Sequence, residues 1–147
     1  IGSNENIYIV DDVLYEKNAL TNPSCDDVLG IVANNNVLIP NLAPATTNLE
    51  INGTIFTRTG FFKAENYDTR TLANSGKLSV VGGIIQNTRG PVGTVDGSGN
   101  LVTGYSKRYR YDNRLANPSF RPPFFPGYWR KTLAIKNWWE NTRIPQF

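Results

Sequence analysis

Val28-Leu29-Gly30-Ile31-Val32, Ile51-Asn52-Gly53-Thr54-Ile55 and Val80-Val81-Gly82-Gly83-Ile84 are three uses of one pattern. A branched apolar residue, any residue, a glycine, any residue and a second branched apolar residue follow one another. The glycines recur after 23 and then 29 residues. Period-two strands that return every two to three dozen residues are what a β-solenoid requires, because each coil lays its apolar face on the coil before. On this reading the glycines sit on the inward face and leave room where other side chains crowd the axis. The alternative is a β-sandwich in which the same glycines are turn or bulge positions.

Composition agrees with an all-β chain. At 147 residues it forms one domain, and 39 % apolar content is enough for a narrow core. Thirteen glycines and nine prolines indicate many turns. No apolar run approaches the roughly 18 to 20 residues of a membrane span, and no basic-then-apolar leader is present. The chain begins at Ile1 and contains no methionine, which suggests a processed product or a piece of a longer polypeptide.

Outward from the glycine pattern, residues 6 to 15 alternate as a first strand interrupted at Asp11-Asp12, and 18 to 27 form a loop. Strands follow at 28 to 33 and 36 to 39, with Asn34-Asn35-Asn36 as a corner, since asparagine tolerates the left-handed backbone. Residues 49 to 56 read as one strand, 61 to 67 as another, and 78 to 84 repeat the face of 49 to 55 at an offset of 29. Asp96-Gly97-Ser98-Gly99-Asn100 is a hairpin turn between 92 to 95 and 101 to 105. The expected architecture is a short, single-stranded, right-handed β-solenoid (β-helix-like) of about four coils over residues 1–115. A Pro- and aromatic-rich arm over 116–147 follows, with a short helix at 131 to 141.

Charge divides the chain the same way. Residues 1 to 100 carry six Lys or Arg against ten Asp or Glu, and 101 to 147 carry nine against two. A mildly acidic body thus precedes a basic end. Within that end Tyr105-Ser106-Lys107-Arg108-Tyr109-Arg110-Tyr111 alternates rings and cations, with Arg108 and Arg110 on the face opposite Lys107. Lys107, Arg108, Arg110 and Arg114 are candidates for binding DNA or an acidic glycan; the same arginines could instead pair with acids of the preceding coils. In the arm, Phe120, Phe124, Phe125, Tyr128, Trp129, Trp138 and Trp139 are candidate assembly anchors, too apolar to stay solvated. They cap the open end of the solenoid or dock on a neighbouring copy.

Signals for chemistry are weak. Histidine is absent, which removes the usual general base and the commonest metal ligand. Cys25 is the single cysteine, so neither an intrachain disulfide nor a cysteine-based zinc site can form; it reads as a buried small residue. Asp11-Asp12 and Asp26-Asp27 read as turn residues, with calcium at a coil edge as the functional alternative. Asp96, Ser98 and Asn100 fit the start of a calcium loop, but Leu101 stands where glycine is needed and Lys107 where the bidentate glutamate is needed. No catalytic residue, resident metal or cofactor is therefore assigned, no small-molecule substrate is expected, and the chain is not expected to be an enzyme.

Three segments carry a resemblance. SCDDVLGIVANNNVLIPN, then NLEINGTIF with FFKAENY, then GKLSVVGGIIQNTRGPVGT leading through GYSKRYRYDNRL to PPFFP, resemble a bacterial family of exported proteins. That family's β-solenoid C-terminal region has no assigned activity and occurs in pilin-like and cell-surface proteins. Gly90-Pro91-Val92-Gly93 and the run from Tyr109 to Leu115 are the most specific pieces. The resemblance implies a non-enzymatic role outside the cell or at its surface, in a filament, coat or pilus-associated assembly. A homo-oligomer or filament is the expected state.

Overall fold

The computed structural model describes residues 1–41, 48–69, 76–123 and 125. Within them the chain is all-β, a β-solenoid of about three turns whose coils stack three parallel sheets. β1 (Gly2–Ser3), β2 (Ile7–Tyr8) and a bridge from Val13 to Ile51 form the first coil. β3 (Gly30–Ala33), β4 (Val37–Ile39) and β5 (Leu49–Asn52) form the second, and β6 (Thr54–Thr57), β7 (Phe62–Ala64) and β8 (Lys77–Gly82) the third. β9 (Ile84–Ile85), residues 90–92, where the Pro91 carbonyl accepts from Ala64 N–H, and β12 (Ser106–Tyr111) close the last coil. A hairpin of β10 (Gly93–Val95) and β11 (Leu101–Gly104) projects from that coil. Sheet 1 is β1-β3-β6-β9, sheet 2 is β2-β4-β7 and sheet 3 is β5-β8-β12.

The core is a set of in-register columns. Ile31 stands on Ile55, Val37 on Phe62, Leu49 on Leu78 and Ile51 on Val80, all of them buried. Each coil thus covers the apolar row of its neighbour, and no single coil could bury its own. The first coil is the least complete. The strand expected over 6 to 15 is reduced to two residues and a bridge, because the Asp12 carboxylate replaces a strand there by accepting from Glu50 N–H at 2.7 Å. The stack therefore amounts to about three full turns, with the first coil only partly formed.

The repeated glycines mark corners and not the crowded axis. Residues 49 to 56 do not run as one strand: Gly53 turns the chain from sheet 3 to sheet 1, and Gly82 does the same one coil later. Both have φ near +150°, 152° and 154° respectively, where a side chain is strained. Gly82 also lies so close to the coil below that a Cβ would stand 2.0 Å from the Gly53 carbonyl oxygen. Gly30 is out of step with this pair, because its register partner is Thr54. Asn52 Oδ1 and Thr54 Oγ1, on either side of Gly53, are buried without a hydrogen-bond partner among the described residues.

At the corner between sheets 1 and 2 the asparagines work through their side chains. The left-handed backbone expected of Asn34 to Asn36 is not used; among the described non-glycine residues only Asn66 adopts it. Instead Asn6 Oδ1 accepts from both the backbone N–H and the side-chain amide of Asn36, each at 3.0 Å, and Asn36 Oδ1 accepts from Phe61 N–H at 3.1 Å. Gln86 Oε1 continues the ladder by accepting from Phe62 N–H at 2.9 Å. Corner amides thus satisfy backbone donors of the next coil that the sheets leave unpaired.

Candidate functional site

Two surfaces gather the residues singled out by the sequence: the last coil with its basic strand, and the ground between the arm and sheet 1. β12 pairs with β8 over its whole length, from Ser106 opposite Lys77 to Tyr111 opposite Gly82. Paired residues of parallel neighbours share a face. Lys107 and Tyr109 therefore continue the inward columns of Leu78 and Val80, while Arg108 and Arg110 continue the outward columns of Ser79 and Val81. Desolvation pushes the Tyr109 phenol up to about 12, although the residue is 41 % exposed. Partial burial and the nearby Arg89 charge lower the Lys107 ammonium from its ordinary value.

Arg108 and Arg110 line a groove of about 190 Å³ together with Glu50, Ser79, Asn18 and Leu20. Asn18 and Leu20 belong to the connection over residues 14–29 and face the outward residues of sheet 3 across this groove. Neither arginine has an ion pair among the described residues, so the expected pairing with acids of earlier coils is not made there.

Arg114 is placed differently. Its guanidinium forms an ion pair with Asp112 at 2.7 Å and donates to the carbonyls of Cys25 at 2.7 Å and Asp27 at 3.1 Å. It also lies over the rings of Tyr15 and Phe120, 5.6 and 5.2 Å from their centroids. The planar fork suits this task, satisfying a carboxylate and two carbonyls at once. Desolvation pushes the buried Asp112 carboxyl up, but the Arg114 hydrogen bonds and charge outweigh it and hold it below the usual carboxylate range. Arg114 thus ties the end of the last coil to the 14–29 connection. The sequence grouped it with the strip cations; the Asp112-x-Arg114 spacing was the available signal for a local pair.

Of the candidate anchors, Phe120 and Phe125 are described, and both pack on the body. Phe125 meets Phe56 at 5.9 Å between centroids, tilted by 57°. Gly30 makes this possible, since a Cβ there would stand 2.6 Å from the Phe125 ring and 2.7 Å from Pro122. Phe124, Tyr128, Trp129, Trp138, Trp139 and the expected helix at 131 to 141 lie outside the described residues.

The acidic pairs serve the backbone. Asp11 accepts from Asp12 N–H at 2.8 Å, Asp12 from Glu50 N–H, and Asp27 from Lys17 N–H at 3.2 Å. Asp96 accepts from Ser98 and Asn100 N–H inside its hairpin turn, with Gly99 at φ 86°. Cys25 is buried, and its thiol donates to the Lys17 carbonyl. Among the described residues no group of three or more His, Cys, Asp or Glu side chains comes together, and no helix is long and apolar enough to cross a membrane. No family model matches the chain, and no curated protein or solved structure matches it either.

Proposed function

We propose that this chain is a non-enzymatic structural module of an extracellular or cell-surface assembly, a filament, coat or pilus-associated protein, self-associating through its solenoid ends and C-terminal arm. One observation carries the reading. Most of the large apolar side chains that remain exposed belong to the two terminal coils, Ile1, Tyr8, Val10 and Leu14 on the first and its exit, Ile85, Tyr109 and Tyr111 on the last. Leu20 on the 14–29 connection and Val95 and Val102 on the hairpin complete the set among the described residues. Among the described residues the strands of the two middle coils contribute none. A stack whose ends are both apolar and edge-exposed is suited to contact another stack. Placement outside a bacterial cell rests on the family resemblance.

Light scattering of the whole chain at several concentrations tests this. Particle mass that grows with concentration supports the module, and a strict monomer throughout refutes it. Replacing Trp129, Trp138 and Trp139 by alanine asks whether the arm takes part.

Arg108 and Arg110, exposed and free of ion pairs among the described residues, favour a second reading as a binding surface for DNA or an acidic glycan. Arg114 is committed to Asp112, and Glu50 lines the same groove, which leaves Lys107, Arg108 and Arg110 as the cations for such a ligand. An affinity that falls steeply with salt, and several-fold more when both arginines become alanine, would establish it.

A further inference from the structure

Charge differs between the two ends of the stack. Residues 1–16, the first coil and its exit, carry Glu5, Asp11, Asp12 and Glu16 and no Lys or Arg. Residues 84–111, the last coil, carry Arg89, Lys107, Arg108 and Arg110 against Asp96 alone. One end is therefore acidic and the other basic, and each also exposes apolar side chains.

The columns inside the molecule show how such ends would meet. Along sheet 3, Val13 bridges to Ile51, Ile51 pairs with Val80 and Val80 with Tyr109. The outward column beside it runs Glu50, Ser79, Arg108, and Asp12 stands beneath Glu50. Along sheet 1, Gly2 pairs with Val32, so Ile1 precedes the column of Ile31, Ile55 and Ile84. The next layer on the free edge of the last coil would repeat the first coil's residues.

We infer that a second copy of this chain docks its first coil on the last coil of the one before, head to tail. The inference rests on the assembly reading above and names its partner, polarity and register. Asp11 of the incoming copy then faces Lys107, Asp12 faces Arg108, Val13 covers Tyr109 and Ile1 covers Ile84, about one strand spacing of 4.8 Å away. The charged edge of β12 disfavours pairing with a like edge, so the basic end rejects another basic end and accepts the acidic one. The contact is heterologous and does not close by a two-fold axis, so it propagates as a linear stack.

Charge reversal at either end tests it. K107E/R108E makes the last coil acidic, and D11K/D12K makes the first coil basic. In light scattering each variant alone stays monomeric where the unaltered chain has grown, and an equimolar mixture of the two regains mass. Thermal melting of each variant reports whether it folds. Because Asp12 also holds Glu50 N–H, salt dependence of the unaltered chain gives an independent measurement: assembly weakens about tenfold from 50 to 500 mM salt as the facing charges are screened. Two outcomes overturn the inference and leave the module intact: both folded variants assembling as the unaltered chain does, or assembly indifferent to salt. A chain monomeric at every concentration, or one gaining mass only when a polyanion is added, overturns both readings together.

Discussion

Replacing Gly82 by alanine strikes the point where two coils come closest. Two costs add. Gly82 holds φ 154°, and a non-glycine residue in so sparsely populated a region costs about 1–3 kcal/mol. The new Cβ would also stand 2.0 Å from the Gly53 carbonyl oxygen and 2.6 Å from its carbon. Those are backbone atoms, so no rotamer change relieves the overlap; the coils must move apart and strain the Gly53 N–H bond to the Val81 carbonyl, now 2.9 Å long. Overpacking of this kind costs a further ~1–3 kcal/mol, for a total of about 2–6 kcal/mol against the ~5–15 kcal/mol that holds a typical domain. Gly53→Ala shares the backbone cost at φ 152° but meets the Leu29 carbonyl oxygen at 3.1 Å, and should lose about 1–3 kcal/mol. Gly97→Ala, in the hairpin with nothing within 4 Å, should stay within about 0.5 kcal/mol of the parent. Urea unfolding followed by circular dichroism ranks the three, with the midpoint shift read at constant slope. A Gly82→Ala midpoint close to that of Gly97→Ala, or a Gly53→Ala loss exceeding that of Gly82→Ala, would refute the corner assignment.

Arg114→Met should destabilise by about 3 kcal/mol or more, because the buried Asp112 carboxylate loses its partner; Arg114→Lys should recover only a fraction, lacking the fork, and thermal melts of both check this. The Asp112 carboxyl is depressed in the folded chain, so its stabilisation is fully present above the ordinary carboxylate range and fades as pH falls through the folded value. Stability against pH should therefore drop on the acid side, below about pH 4, and Asp112→Asn should flatten that drop while lowering stability at neutral pH. Phe125→Ala should cost about 1–2 kcal/mol at most and expose the backbone around residue 122 to faster hydrogen exchange, since the ring leaves Phe56 and Gly30 uncovered.

The coil repeat was legible because burial in a stack imposes it on every coil: the apolar residues at 49, 51 and 55 recur at 78, 80 and 84 and meet in space. Register at the glycines was less so. Gly30 sits in the same pattern of branched apolar residues as Gly53 and Gly82 yet aligns with Thr54, because corner geometry and not the pattern decides which residue turns. The asparagine corner was visible as a turn, but its mechanism depends on amides bonding the next coil, which a single strand does not reveal. The two roles within the basic run were mixed for a related reason. Arg108 and Arg110 follow from alternation along β12, whereas Arg114 finds its carbonyl partners 87 and 89 residues back. Aromatic surplus in the arm signalled docking; that Pro122 and Phe125 dock over Gly30 follows only from the side-chain-free patch that glycine leaves.

The 14–29 connection is made early and fastened late. Its carbonyls at Cys25 and Asp27 receive a guanidinium that lies 89 and 87 residues further along the chain, so the fastening residue is the later one to be synthesised. A chain emerging from the ribosome would carry that connection without this tie until residue 114 appeared, and a product cut short before residue 114 would stack coils without it. Chains that include residue 114 are in this way distinguishable from those cut short before it by one guanidinium, and proteolytic sensitivity within 14–29 would report it.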